Sequence, residues 1–245
     1  VYEPASVAAA GPDQEFCSAS TITMAGTIPA SGTGNWSILS GPGSGSFVDP
    51  TDPTTDFINA VPGVYIFLWT VENGACNNAD PIRVDNWEAP TIANASTSPY
   101  QDYYCDSTIT MLGNLPAVGV GTWTQKSGPV AAQIVSPILP NTEIRGLAPG
   151  TYEFYWTITN GPVCPPSVDS CTIVIATRPN IPEAGADQEI CEVAPVQTNM
   201  AANLITTGLG TWTQFSGPNT ATIADPNLNT TLISDMISGT YRFVW

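Results

Sequence analysis

One short stretch is written three times in this chain, and that repetition constrains the fold more than any other feature. Gly63-Val64-Tyr65-Ile66-Phe67-Leu68-Trp69 returns as Gly150-Thr151-Tyr152-Glu153-Phe154-Tyr155-Trp156 and as Gly239-Thr240-Tyr241-Arg242-Phe243-Val244-Trp245. Tyr, Phe and Trp alternate with other residues each time, so in an extended strand all three point to one face. The intervening positions vary freely: Ile66 and Leu68, Glu153 and Tyr155, Arg242 and Val244. A fixed aromatic face beside a variable one is the pattern of a strand whose inner face forms the core of a sandwich.

Each stretch has a second Trp upstream, Trp36, Trp123 and Trp212, and the distance to the Trp that ends the stretch is identical in all three copies. Each of these is followed by a Ser-Gly-Pro turn, Ser40-Gly41-Pro42, Ser127-Gly128-Pro129 and Ser216-Gly217-Pro218. The interval from Trp36 to Trp123 nearly equals that from Trp123 to Trp212, and both are periods of small repeated domains and not of solenoid turns. Pro and Gly, 23 and 21 of the 245 residues, punctuate apolar alternations, as in short strands joined by turns. Asn73-Gly74 and Asn160-Gly161 are hairpin signals. The Pro- and Asp-rich stretch from Phe47 to Phe57 suits an edge strand with a turn. There is no sustained helical periodicity, and no apolar run approaches the roughly 18 residues that span a bilayer. The expected fold is all-β: tandem Ig-like antiparallel sandwiches of roughly seven strands in a linear array. The expected domains are residues 1–88, 89–178 and 179–245, the last stopping before its final strand as part of a longer protein. Three such domains in line would make a rod on the order of 100 Å.

Net charge is −16, with 5 Lys and Arg against 21 Asp and Glu, so a phosphate backbone would be repelled and nucleic acid is not an expected partner. Such acidity favours solubility, and it raises the separate possibility of divalent cations at domain ends. Calcium candidates are Asp49, Asp52 and Asp56, with Asp225 matching Asp49 in the third copy. Ser136 holds that place in the second copy, and the chain has no DxDxDG loop.

The cysteines are Cys17, Cys76, Cys105, Cys164, Cys171 and Cys191. Cys17 to Cys76 and Cys105 to Cys164 span equal lengths of chain, which suggests one disulfide inside each copy, worth about 4 kcal/mol in the chain-entropy model. Free buried thiols are the competing reading, because spacing alone does not fix connectivity. Cys191 would find its partner beyond Trp245. Cys171 falls opposite Val84 of the first copy, and either competes with Cys105 for Cys164 or stays a buried thiol. With no histidine and no paired CxxC knuckle, a zinc site has little to work with. Disulfides imply an oxidising compartment.

Catalysis has few groups available. There is no histidine, and Lys126 is the only lysine, which also rules out a Lys-Asn isopeptide in the first and third copies. The pair Asp49 and Asp52, beside prolines in a turn, suits loop solvation better than acid–base work. Tyr100, Tyr103, Tyr104 and Tyr155 are candidates for stacking on sugars, against the plainer reading of surface or neighbour contact. Thr-x-Thr pairs such as Thr122/Thr124 invite an ice-binding reading, although threonine simply favours strands.

The strings Ala-Gly-x-Asp-Gln, Gly-Thr-Trp-Thr-Gln-x-Ser-Gly-Pro (Gly121 to Pro129, Gly210 to Pro218) and Gly-Thr-Tyr-x-Phe resemble the PKD-like Ig-type repeats and their receptor-for-egg-jelly relatives. Cysteine-bearing copies in acidic arrays are similar to repeats of giant Bacteroidetes surface adhesins of the SprB-like gliding type. The Trp-Asp-Phe-Gly-Asp-Gly loop of the most typical PKD repeats is absent. The resemblance implies a non-enzymatic stalk or filament segment, exported by type IX secretion to the cell surface, with no catalytic residue and no cofactor. Its implied partners are neighbouring repeats, copies of itself in a bundle, and a cell-surface or glycan ligand, with no membrane insertion. In that setting Asp106-Ser107-Thr108 fits an acidic O-glycosylation pattern at Ser107; the sequons at Asn35, Asn94 and Asn229 carry no such weight. The alternatives are a glycan-binding array and the accessory region of a large secreted hydrolase.

Overall fold

The computed structural model describes residues 3–95, 103–105, 107–191 and 196–245. Every regular element among them is a β-strand. The chain falls into two compact units, Val1–Asp102 with Asp106–Val174, and Tyr103–Cys105 with Ile175–Trp245.

The first copy holds β1 (Gln14–Cys17), β2 (Thr21–Thr23), β3 (Thr33–Ser40), β4 (Ser46–Phe47), β5 (Asp56–Ile58), β6 (Gly63–Asn73) and β7 (Cys76–Trp87). One sheet has the order β1-β7-β6-β3 and the other β2-β5-β4. The aromatic strand β6 is central, antiparallel to β3 and β7. Its inward set Tyr65, Phe67, Trp69 and Val71 is buried with Trp36, Ile82 and Val84 against Ile22 and Phe57 of the smaller sheet and Met24 just after β2. The outward set Ile66, Leu68 and Thr70 stays partly exposed, as the alternation requires. One pairing departs from an all-antiparallel reading: β1 runs parallel to β7, with Cys17 opposite Trp87. Strand β7 continues the Asn73-Gly74 hairpin directly, Asn73 facing Cys76.

The second copy holds β8 (Tyr103–Tyr104), β9 (Thr108–Thr110), β10 (Val120–Ser127), β11 (Gln133–Ile134), β12 (Glu143–Arg145), β13 (Gly150–Thr159) and β14 (Ser167–Ile175). Strand β13 lies between β10 and β14, and β11-β12-β9 make a smaller sheet. Trp123, Tyr152, Phe154, Trp156, Ile158, Ile109 and Met111 are buried here. The third copy holds β15 (Val196–Asn199), β16 (Thr213–Ser216), β17 (Thr222–Ile223), β18 (Leu232–Met236) and β19 (Arg242–Val244), in sheets β15-β18-β17 and β16-β19. Trp212 is buried there, but Tyr241, Phe243 and Trp245 are only partly so. Among the described residues their strand has one hydrogen-bonded neighbour, where β6 and β13 have two.

Three local devices recur in every copy and explain the constant spacings. The first is an indole pair: Trp36 faces Trp69, Trp123 faces Trp156 and Trp212 meets Trp245, with ring centroids 5.0, 5.0 and 5.2 Å apart. Gly34, Gly121 and Gly210 make room for the second ring; a Cβ there would lie 2.0, 2.1 and 2.1 Å from its Cζ2. The second is a tyrosine corner: the Tyr65, Tyr152 and Tyr241 hydroxyls accept from the N–H of Val61, Ala148 and Ile237, each one turn back along the chain and 2.9 Å away.

The third device lies in the Pro- and Asp-rich stretch, whose edge strand is the short β4 and whose turn is larger than a hairpin. Phe47 and Phe57 belong to the short strands β4 and β5, and between them the chain forms a loop latched to the first Trp. The Trp36, Trp123 and Trp212 backbone N–H groups donate to the carbonyls of Pro50, Pro137 and Pro226 at 2.7, 2.8 and 2.7 Å. Their indole N–H groups donate to the carbonyls of Pro53, Pro140 and Asn229 at 3.2, 3.0 and 3.3 Å. Buried Thr55, Thr142 and Thr231 close each loop by accepting from the N–H of Asp49, Ser136 and Asp225, all at 2.9 Å.

Candidate functional site: the junction of the first two copies

The candidate site is the seam between the first two copies, which lies inside one compact unit. From the first copy come the ends of β1 and β7. Asn86, buried near the end of β7, accepts from the Ala19 N–H at 2.9 Å and donates to the carbonyls of Ala19 and Val61 at 2.8 and 3.2 Å. Ser18, at a φ of 50°, donates its N–H to the Trp87 carbonyl at 2.7 Å, and its hydroxyl accepts from the Ala89 N–H at 2.9 Å. These bonds hold Cys17 beside Trp87 at this end of the sheet.

The second copy supplies the hairpin between β13 and β14. Asn160 donates to the Glu88 carbonyl at 2.7 Å. Gly161, at a φ of 68°, lies under the Trp87 ring, where a Cβ would sit 2.3 Å from Cδ2. Only glycine meets both conditions, the left-handed backbone and the close approach. Cys164 is buried, with its sulfur 3.5 Å from the Glu88 carbonyl oxygen, and it is bonded to Cys17. The bonded cysteines are separated by 147 positions in the sequence, with Cα atoms 4.9 Å apart. A loop of that length corresponds to about 5 kcal/mol in the chain-entropy model.

This pairing corrects the expectation of bonds inside each copy. Cys17 lies opposite Trp87, whereas Cys76 begins β7 at the hairpin. The length of β7 puts them about 35 Å apart, far beyond the ~7 Å that a disulfide spans. The equal spacings of the two cysteine pairs therefore record two positions at opposite ends of one sheet. Cys76, Cys105 and Cys191 are exposed thiols, and Cys105 cannot take Cys164 because that sulfur is already bonded. Cys171 is buried and its counterpart is Ile82, not Val84. The structural match is set by Asp80 and Asp169, which accept from the Ala10 and Ala95 N–H groups, both at 2.8 Å. Two extra residues in the second hairpin shift the correspondence.

The calcium candidates accept hydrogen bonds from protein groups, Asp49, Asp52 and Asp225 within local turns and Asp56 across the β2–β5 pair. Asp49 accepts from the Thr51 N–H and hydroxyl at 2.9 and 2.7 Å, and Asp52 does the same with Thr54 at 2.8 and 2.9 Å. Asp56 accepts from the Thr23 hydroxyl at 2.7 Å, and Asp225 from the Asn227 N–H at 2.9 Å. The Thr51 hydroxyl, then its N–H, hold the Asp49 carboxyl below the usual carboxylate range. Among the described residues no three His, Cys, Asp or Glu side chains gather as a metal site.

Tyr155 is half-buried beneath Lys126, whose ammonium lies 5.0 Å from the ring centroid and 3.0 Å from Glu153. The Tyr155 hydroxyl and Glu153 raise the Lys126 ammonium above its ordinary value. Tyr100, and the side chains of Tyr103 and Tyr104, fall outside the described residues. Ser107 is exposed, and its carbonyl accepts from the Leu147 N–H at 3.0 Å; Asp106 beside it lies outside the described residues. No helix long and apolar enough to cross a membrane is present among the described residues.

No known family profile and no curated protein matches this sequence. Solved structures do. A three-domain titin fragment, I67–I69 in an E-to-A variant, superposes with a TM-score of 0.52 over 96% of this chain and 90% of its own, at 12% identity. The chain has a tandem Ig-like fold. The I-band fragment I67–I69 from titin gives 0.49 over 97% and 89% at 12% identity, and Rst D1-D2 gives 0.44 over 72% and 100% at 13%. At these identities the likeness speaks for the fold alone.

Proposed function

We propose that this chain is a non-enzymatic structural segment of an extracellular stalk or filament, in which Ig-like domains at 1–88, 89–178 and 179–245 act as successive spacers. The observation that carries this reading is the Cys17–Cys164 bond. A disulfide inside a domain stabilises that domain; one that joins two copies fixes their junction, which is useful to a spacer and of no evident use to a catalyst. The bond also supports an oxidising compartment, outside the cytosol. The resemblance of the repeat strings to PKD-like copies of bacterial surface adhesins supports a cell-surface filament, with type IX export and a gliding-type adhesin as its finer form.

The glycan-array reading is weaker. Tyr155 is covered by Lys126, and Leu68 and Val244 stand at its place in the other copies, so no repeated sugar platform results. Immunogold electron microscopy of unpermeabilised source cells, with antibodies raised against this chain, tests the proposal. Label along surface fibres is the expected result. Label that appears only after permeabilisation overturns it.

A further inference from the structure

Three exposed cysteines occupy the two positions of a bond the chain already makes once. Cys17 ends the strand that follows Ala10-Gly11-Pro12-Asp13-Gln14, and Cys191 stands at the same distance after Ala184-Gly185-Ala186-Asp187-Gln188. Cys105 precedes Ser107-Thr108-Ile109-Thr110-Met111 much as Cys17 precedes Ser20-Thr21-Ile22-Thr23-Met24. Both therefore match Cys17 in sequence; Cys105 directly follows β8, and Cys191 lies in a segment outside the strands. Cys76 follows Asn73-Gly74 as Cys164 follows Asn160-Gly161, so it is a hairpin half. At the Cys17–Cys164 separation of 147, the partners equivalent to Cys164 and Cys17 fall outside residues 1–245 for all three.

The hairpin of the first copy is set up for the same junction by an independent contact. Asn73 donates to the Glu3 carbonyl at 3.0 Å, as Asn160 donates to the Glu88 carbonyl at 2.7 Å. Glu3 and Glu88 hold equivalent places in the segments that enter the two copies, each at the same short distance before Ala8 and Ala93. Those alanines donate their N–H to Asn78 and Ser167 at 2.7 and 2.8 Å. Gly74 also shares the left-handed backbone of Gly161, with φ of 63° and 68°. The first hairpin thus grips its entering segment through the same Asn-to-carbonyl bond and left-handed glycine that, one copy later, accompany a cysteine held against the preceding copy.

We infer that Cys76, Cys105 and Cys191 are halves of the same staple, each taking the complementary cysteine of a neighbouring Ig-like copy, so that a longer array is cross-linked at every junction. This rests on the reading of the chain as a segment of a tandem array. It adds a mechanical property that folding alone does not supply. Each staple shunts tension past the chain it closes, which here runs from Cys17 to Cys164. Only the short segment from Cys164 to Cys191 lies between the end of one staple and the start of the next on that path. Unfolding of the domains would then release little length. In each junction two thiols lose two protons and two electrons, which pass to a disulfide oxidant and convert it into two thiols.

The test uses the chain itself as its own neighbour. The purified protein is incubated with oxidised and reduced glutathione, and intermolecular links are mapped by mass spectrometry of unreduced peptides. Cys76 should join Cys105 or Cys191 in roughly tenfold excess over Cys76–Cys76 links, the bias that about 1.4 kcal/mol of docking preference gives. Cys76→Ser should remove these links, while Cys17–Cys164 persists. Homotypic links in equal amount, or links indifferent to Cys76→Ser, overturn the inference. Surface fibres that label with the antibody but carry these three cysteines as free thiols would also overturn it, and would leave the array reading standing.

Discussion

Thr142→Val isolates the loop latch that each copy repeats. Thr142 is 3% exposed, and its hydroxyl accepts from the Ser136 N–H at 2.9 Å. Valine keeps the shape, so no cavity opens, but the N–H loses its acceptor inside a loop whose other end is held by Trp123 through Pro137 and Pro140. A fully buried donor left without a partner costs about 1–3 kcal/mol; this bond is part-buried, and relief from burying a hydroxyl also returns some of the loss. The net loss should be about 1–2 kcal/mol, read as a fall of ~2–8 °C in Tm for a unit of this size. Thr142→Ser keeps the acceptor and should lose less than half as much. Paired thermal and urea denaturation of the three proteins measures this. A Thr142→Val protein that matches the parent within about 0.3 kcal/mol would refute the latch, as would a serine variant that loses as much as the valine one.

Other outcomes follow from the same geometry. Gly121→Ala places a methyl 2.1 Å from the Trp156 ring and should cost about 1–3 kcal/mol in denaturation, with Trp fluorescence altered. Tyr152→Phe removes the acceptor of the Ala148 N–H and should cost about 1 kcal/mol in the same assay. Asp49, held below the usual carboxylate range by Thr51, contributes stability that is present above the ordinary aspartate pKa and lost as pH falls through the lower folded value. NMR titration of Asp49 should show that depressed value, and Thr51→Ala should return it toward normal.

The sequence shows whatever depends on strict recurrence. Tyr-x-Phe-x-Trp, the upstream Trp and the Ser-Gly-Pro turns recur without insertion, because paired indoles and the tyrosine corner tolerate no slip in register. The loop latch belongs to the same recurrence but is unmarked by it. Pro50, Pro137 and Pro226 each lie at one fixed distance after the Trp, yet they act through backbone carbonyls, which any residue offers. The disulfide is illegible for a different reason. Equal spacing says that two cysteines share a copy, not which end of the sheet each occupies. That is decided by the parallel pairing of β1 with β7, a long-range choice the local pattern does not encode. Cys171 is misaligned by a fixed offset because the second hairpin is longer, so the offset fails beyond Gly161.

The covalent joining of one copy to the next is tested most directly by mapping the disulfides of the unreduced protein by peptide mass spectrometry. The expected product is a peptide containing Cys17 linked to one containing Cys164. Links of Cys17 to Cys76 and of Cys105 to Cys164 would contradict it and return the bonds to the interior of each copy.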